Sequence, residues 1–515
     1  MVLRSLAFAA FLACPALVSD ACAADVWVDP INGDDANGGT SEADAWRTVT
    51  YALVQLGPVA GPEVDVVHVL PGQYNLAGGE NFPLVLRDKV RLEGQGHAGI
   101  IIFSGQITIG EDQESTSWET GLTNLTLDSP GIGVKLRVEP GNPAIRRATL
   151  RSVTFREKST GVRCRINEPA MDASGVRLDD CTFEDCTIGL SIRSRYGAHT
   201  QLSMRDSRML WSSGYNTNLV GYAEEGGILD LEFEHCQFVI GDQATYGFIV
   251  RDYQTGNTSL RMFDCALVSP CLSTYGIFAD GSVHLERCTL AGHDTALNAY
   301  GTTDVLIRDC VFGDNDTDLW SIPGAHFQVE NTIIDDPMAL GHSGNFAASP
   351  NFVDPFSGDY RLAHGSAGLD CLPPLDTLDL DGVPRNQDGD LDSIGMRDIG
   401  AYETRTLFGP SSAALGAPLT FELQGFDGEF ALLYLSRVPT SAPWQSPFGA
   451  AWLTPGTLSH VQDTITSGAT LTQVTTTAPA HAALAGTTLG FQALMRSPAS
   501  PTGAAWSSPV LVTLQ

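Results

Sequence analysis

Basic side chains are scarce in this chain: 29 lysines and arginines face 60 aspartates and glutamates over 515 residues, a formal charge of -31. Such an imbalance argues against nucleic acid and anionic membrane surfaces as partners of the whole molecule. Long apolar runs are missing beyond the N-terminus, so nothing there offers the ~20 uninterrupted apolar residues of a membrane span. Cysteine spacing of the metal-binding kind is absent. What the N-terminus does hold is Met-Val-Leu-Arg, the apolar run SLAFAAFLACPALV and the small-residue stretch SDACAAD. This order predicts a secretory signal peptide over residues 1–24 and an exported chain, secreted or held at the cell surface.

One short pattern returns along the chain. Its marker position is Leu125, Val153, Cys181, Ser207, Cys236, Cys265, Cys288, Cys310 and Thr332, at intervals of 28, 28, 26, 29, 29, 23, 22 and 22 residues. Two polar residues before the marker read as a turn. The alternation after it, as in Cys181 and Phe183, marks a short strand with every second side chain inward. Strand-built repeats of this length without helical periodicity predict an all-β, right-handed parallel β-helix in which each repeat is one coil. Propeller blades run longer and need four antiparallel strands each.

A second strand lies upstream of each marker. GVKLR, GVRCR, GLSIR, NLVGY, GFIVR and GIFAD put Gly133, Gly161, Gly189, Asn218, Gly247 and Gly276 in one column, which reads as a left-handed backbone corner. Inward positions follow at Val134, Val162, Leu190, Leu219, Phe248 and Ile277, then at Leu136, Cys164, Ile192, Gly221, Val250 and Ala279. The last outward position is Arg137, Arg165, Arg193, Tyr222, Arg251 and Asp280, separated by 28, 28, 29, 29 and 29 residues. Stacked coils would set these ~4.8 Å apart, where two like charges in water repel by roughly 0.9 kcal/mol. Two explanations stand for the arginines. Carboxylates such as Glu139, Glu168 and Asp252 would make a solvated ion-pair lattice; an anionic sugar chain lying along the row would be gripped by arginine forks.

Cys236, Cys265, Cys288 and Cys310 recur at coil spacing and should stack inward. In-register neighbours ~4.8 Å apart exceed the ~3.5–4.5 Å between Cβ atoms that a disulfide accepts, so a buried thiol ladder is expected.

At the N-terminus, Val28-Asp29-Pro30, Asn32-Gly33-Asp34, Trp46-Arg47-Thr48, Pro71-Gly72-Gln73-Tyr74 and Gly79-Glu80-Asn81-Phe82-Pro83-Leu84 stand in order within residues 26–96. This segment resembles a bacterial exported domain-of-unknown-function family of the pectin-lyase-like, right-handed parallel β-helix superfamily. The resemblance implies fold and export and does not fix an activity. Ala43 to Leu56 reads as a short helix with Trp46, Val49, Ala52 and Leu53 on one side, suited to covering the open end of the solenoid.

The segment from Leu369 to Glu403, ending in Asp-Ile-Gly-Ala-Tyr-Glu, resembles the closing segment of exported bacterial β-helices. Its aspartates Asp379, Asp381, Asp388, Asp390 and Asp392 are dense enough to suggest Ca²⁺, although EF-hand spacing fails and a solvated acidic loop remains open. After Glu403 cysteine disappears and charge becomes rare. TFELQ, FALLYLS, LGFQALM and PVLVTL predict a small β-sandwich over residues 405–515, leaving residues 25–404 to the β-helix.

Polysaccharide lyases and hydrolases are frequent in the superfamily that the chain resembles. The repeats hold neither the Gly-His-Gly turn with paired aspartates of its hydrolases nor the Arg-x-Pro arginine with Ca²⁺-binding aspartates of its lyases. The outward row still carries lyase ingredients. Arg165 or Arg193 would neutralise a uronate carboxylate, Tyr222 or Arg251 would stand near the proton to be removed, and Asp280 would hold a cation or a hydroxyl. Lys135, Arg137 and Arg163 are the substrate-binding candidates. Two functions are therefore carried forward: a monomeric exported protein that binds, and in one version cleaves, an acidic polysaccharide or cell-surface glycan; and a non-catalytic adhesive solenoid attached through its C-terminal module.

Overall fold

The structure, a computed structural model, describes residues 23–56, 63–96, 102–110, 114–142, 144–169, 172–210, 217–241, 244–270, 274–301, 303–337, 339, 343–425, 428–437, 439–466 and 472–515. The signal-peptide reading falls almost wholly outside the described residues.

Three parallel sheets wind around one apolar core. In the coil of Cys181, the strand Ser174–Asp179 lies in the first sheet, Thr182–Glu184 in the second and Ile188–Arg195 in the third. The same order recurs upward, each strand pairing in parallel with its equivalent one coil on. The first sheet runs from Asp25–Val28 to His326–Glu330, the second from Gln73–Tyr74 to Val311–Gly313 and the third from Leu84–Leu86 to Thr317–Ser321. The chain is thus an all-β parallel β-helix. Every inward position expected for the third sheet is buried.

The corner between the first two sheets is made by one residue. Asn124, Ser152, Asp180, Asp206, His235, Asp264, Arg287, Asp309 and Asn331, each directly before a marker, have φ between 48° and 56°. A single left-handed residue swings the chain from one strand direction to the next, and Asn and Asp tolerate that conformation best among residues with a side chain. The polar pair is the turn that the pattern suggested.

The glycine column is not a left-handed corner, contrary to expectation. None of Gly133, Gly161, Gly189, Asn218, Gly247 and Gly276 has a positive φ. Space is the reason instead. A Cβ on Gly161 would sit 2.5 Å from Phe183 Cε1 and 2.8 Å from the Gly189 carbonyl oxygen, and one on Gly247 would sit 2.4 Å from Ile240 Cδ1. At these glycines the third-sheet backbone approaches neighbouring side chains too closely for a Cβ, whereas the coil of Asn218 accommodates one.

The eight described cysteines are free, and seven of them are buried. The thiols of Cys181, Cys236 and Cys288 each point to a carbonyl one coil below, those of Leu150, Met204 and Met262, at 3.4 Å. Small size and a weak donor explain the column.

The N-terminal helix is shorter than its apolar spacing suggested. A 3₁₀ turn at Glu42–Asp44 precedes an α-helix at Val49–Gln55, and Trp46 lies between them, bridged to Val28. The helix starts at Val49 because Thr48 caps it, accepting from the Tyr51 amide, while the buried Glu80 carboxylate accepts from the Val49 and Thr50 amides at 2.7 and 2.9 Å. Val49 and Ala52 are buried in the core cluster beside the first strands.

His293 lies fully buried at a corner, its Nε2 2.9 Å from the Leu267 carbonyl. Burial pushes its pKa down to about 4, against the bond to Leu267. The folded pKa lies below the unfolded one, so the stability it confers is present above about pH 6.5 and is lost as pH falls toward 4. We expect His293→Asn to flatten the stability-pH profile in that window, removing a slope worth roughly 3 kcal/mol in total. Thermal melts at several pH values read this; parallel profiles for the two proteins would contradict it.

Beyond the coils, the closing segment lies over the outer side of the second sheet. Ala266, Val268 and Ala291 form a small cluster with Tyr360, Ala401 and Tyr402. Arg385, with no exposed surface, donates to Asp264 Oδ1 at 2.7 Å and to the Ala401 carbonyl at 3.0 Å, and Arg397 donates to Asp309 Oδ2 at 2.9 Å. Both carboxylate acceptors, Asp264 and Asp309, belong to left-handed corner residues.

Pro418–Leu423, Phe430–Ser436, Thr488–Arg496 and Val510–Leu514 coincide with the four apolar segments read near the C-terminus and pair antiparallel in two sheets. Phe421 and Phe491, one from each sheet, meet at 4.5 Å in a second apolar core. No helix among the described residues is long and apolar enough to cross a membrane.

Candidate functional site

The outward row is a spatial column. Arg165 pairs with Arg137 below and Arg193 above; Arg193 pairs with Tyr222, Tyr222 with Arg251, and Arg251 with Asp280. Strand alternation sets the direction: Arg137 stands between buried Leu136 and Val138, and Arg165 between buried Cys164 and Ile166. A second outward column runs Lys135, Arg163, Ser191, Val220, Ile249, Phe278. A third contains Arg195, Glu224 and Tyr253.

Carboxylates neutralise only part of this charge. Arg193 meets Glu224 Oε1 through Nη2 at 2.5 Å and Nε at 2.9 Å, and Arg195 pairs with the other oxygen of the same group. Burial acts to raise the Glu224 pKa, but the two guanidiniums outweigh it and hold the carboxyl below its usual range. Arg137 pairs with Glu139. Glu168 accepts from the Gly141 amide at 2.8 Å, and among the described residues it forms no ion pair. Asp252 is half-buried; desolvation, with the Asp280 charge adding, pushes its carboxyl up to about 6 against hydrogen bonds from Thr258.

Arg165 is exposed and has no carboxylate partner among the described residues. Partial burial, then the charges of Arg163, Arg193, Arg137 and Arg195, hold its pKa below the usual value. Arg163 donates to Thr160 Oγ1 at 3.0 Å and leaves Nε buried without a partner. The ion-pair lattice therefore accounts for Arg137 and Arg193 and fails for Arg163 and Arg165.

Higher up, the face becomes aromatic. Tyr222 and Tyr253 have ring centroids 5.5 Å apart, and the Arg251 guanidinium lies 4.9 Å from the Tyr253 ring and 5.1 Å from Phe278. Phe278 continues to Tyr300 at 4.7 Å, and Tyr300 to Trp320 at 5.5 Å. Tyr253 and Trp320 are 37% and 40% exposed, enough to offer a ring face to a ligand. Tyr253, Phe278 and Trp320 were missed in the sequence because they lie outside the column of Tyr222. Following the Lys135 column beyond Phe278, through Asn298 to Trp320, is the signal that would have found the last of them.

As chemistry, the row grips better than it reacts. Desolvation and the neighbouring Tyr253 push the Tyr222 phenol further above its usual range, against the charges of Arg251 and Arg193. Arg251 is held between two rings. Asp280 is raised by desolvation, which Arg251 opposes. Asp252, beside the row, is pushed up to about 6 by desolvation, and Thr258 binds it.

The expected metal residues divide. Asp379 spends its oxygens on the Asp381, Val383 and Glu403 amides. Asp388 and Asp390 come together with Asp370, whereas Asp379, Asp381 and Asp392 enter no group of three such ligands within 4.8 Å among the described residues.

Residues 31–186 match the model of a family described as Protein of unknown function (DUF1565). No curated protein matches the chain. Among solved structures, the A-module of the mannuronan C-5 epimerase AlgE6 of Azotobacter vinelandii is similar at 16% identity, covering 57% of this chain and 83% of that one, with a TM-score of 0.26. A likeness of that size carries no argument, and the fold rests on this chain's own ladders. Residues 31–186 are thus similar to the family described as Protein of unknown function (DUF1565), and they lie within an all-β parallel β-helix.

Proposed function

We propose that the outer face of the third sheet binds an acidic polysaccharide, with uronate carboxylates on Arg163, Arg165 and Arg193 and sugar faces on Tyr253 and Trp320. One observation carries this reading: Arg165 stands exposed inside a three-arginine stack without a carboxylate partner, in a chain of net charge -31. Like charges held ~4.8 Å apart ask for an anion, and a planar fork recognises a carboxylate in two-point fashion. From Arg137 to Asp280 the six positions span about 24 Å, the reach of several sugar units rather than one.

The reading is of binding. Cleavage by lyase chemistry needs a base, and neither Tyr222 nor Arg251 offers one near neutrality. A glycan array tests it: retention of polyuronates and not of neutral polymers, abolished in Arg165→Ala and Arg193→Ala, is expected. Equal or absent retention across wild type and variants would favour the adhesive solenoid. Unsaturated, ultraviolet-absorbing products from a retained polymer would add cleavage.

A further inference from the structure

Asp370, Asp388 and Asp390 sit on two stretches of the closing segment, yet each offers a carboxylate oxygen within 4.8 Å of the others. Backbone amides hold them there. Gly389 and Asp390 donate to Asp370 Oδ2 at 2.7 and 2.8 Å, Ser393 donates to Asp388 Oδ2 at 2.8 Å, and Asp392 donates to Asp390 Oδ1 at 3.0 Å. No lysine, arginine or histidine among the described residues is within ion-pair distance of the three, because the nearby guanidiniums of Arg385 and Arg397 are directed to Asp264 and Asp309. A separate observation points to a ligand. Asp388 is 8% exposed, and its Oδ1 is buried with no hydrogen-bond partner among the described residues. A buried carboxylate oxygen without a protein donor is rarely left unpaired.

We propose that Asp370, Asp388 and Asp390 bind a Ca²⁺ ion, with Asp388 Oδ1 as a direct ligand. The donor set is three carboxylates, all oxygen, which suits a hard cation; no histidine or cysteine belongs to the group, as zinc would want. Ligands from irregular loops suit Ca²⁺, which takes six to eight oxygens in flexible geometry, better than Mg²⁺, which demands a near-ideal octahedron. This site lies away from the arginine face and does not depend on it. It joins the Asp370 loop to the Asp388 loop, which itself touches the C-terminal module through Ser393 Oγ to Ser500 Oγ at 2.7 Å and Ser497 Oγ to the Leu391 carbonyl at 2.6 Å.

The test uses the full chain, stripped with chelator and titrated with CaCl₂ in a calorimeter, with thermal melts alongside. One ion bound per chain and a melting temperature that rises with Ca²⁺ concentration are expected. Asp388→Asn, nearly isosteric, should lose the binding heat and the Ca²⁺-dependent shift, while Asp381→Asn should keep both. Should Asp388→Asn yield no folded protein, Asp390→Asn serves the same comparison. No heat and no shift in wild type, an equal response to MgCl₂, or loss on Asp381→Asn with retention on Asp388→Asn would each overturn the assignment.

Discussion

Arg385→Ala should open the closing segment, raising proteolytic cleavage within residues 363–403 by about a hundred- to several thousandfold. The side chain has no exposed surface and reaches Asp264, which also takes two bonds from Arg287 at 2.9 and 3.0 Å. Glu403, itself buried, lies 4.0 Å from Arg385 Nη1, and burial with the Asp398 charge already drives its carboxyl well up against the pull of Arg385. Removing Arg385 leaves Asp264 to Arg287 alone, takes the Arg385 donor from the Ala401 carbonyl and leaves buried Glu403 without its cation, at a cost of about 3–5 kcal/mol. Cleavage that follows the open population scales with that free energy, giving the stated factor. Both bonds leave from the single nitrogen Nη2, so Arg385→Lys should recover part of the loss to the extent that its ammonium reaches Asp264 and the Ala401 carbonyl. Cleavage rates equal to wild type would show that the docking of this segment does not depend on the pair.

Phe183→Ala is the second large effect, with a loss of about 3–5 kcal/mol expected from the cavity it leaves. Its ring is fully buried, stacks on Phe155 at 4.6 Å, and presses on Gly161. Gly161→Ala should also destabilise, by about 1–3 kcal/mol, because the new methyl meets that ring and the Gly189 carbonyl. The informative quantity is the coupling. If glycine is needed for space, truncating Phe183 relieves part of the clash, and the double variant should be less destabilised than the sum by about 0.5–3 kcal/mol. Additive losses in chemical denaturation would return the column to a backbone requirement.

The helical repeat and the outward row could be read from residues alone because a strand converts sequence spacing into direction. Arg137, Arg165 and Arg193 recur at coil length, and the backbone ladders hold them in register. Glycine is more ambiguous, since it serves both unusual φ and close approach; at Gly161 only the position of Phe183 distinguishes the two. The helix start at Val49 depends on Glu80, 31 residues away, which no local spacing reports. Asp370 escaped notice for a similar reason: it precedes the aspartate-dense stretch, and only the fold brings it to Asp388. The aromatics were hidden by spreading over several columns, so that stacking between Tyr300 and Trp320 exists in space without a periodic trace.

Arg165 and its neighbours are proposed to form an anion-binding face. Titration calorimetry with a hexauronate, set against the same hexasaccharide with its carboxyls reduced, asks that question directly. Only the acid should bind, more weakly as salt rises, and Arg165→Ala should lose about ten- to a hundredfold in affinity, the worth of a charge-assisted contact. Equal affinity for the acid and its reduced form, or an unchanged constant in Arg165→Ala, would contradict it.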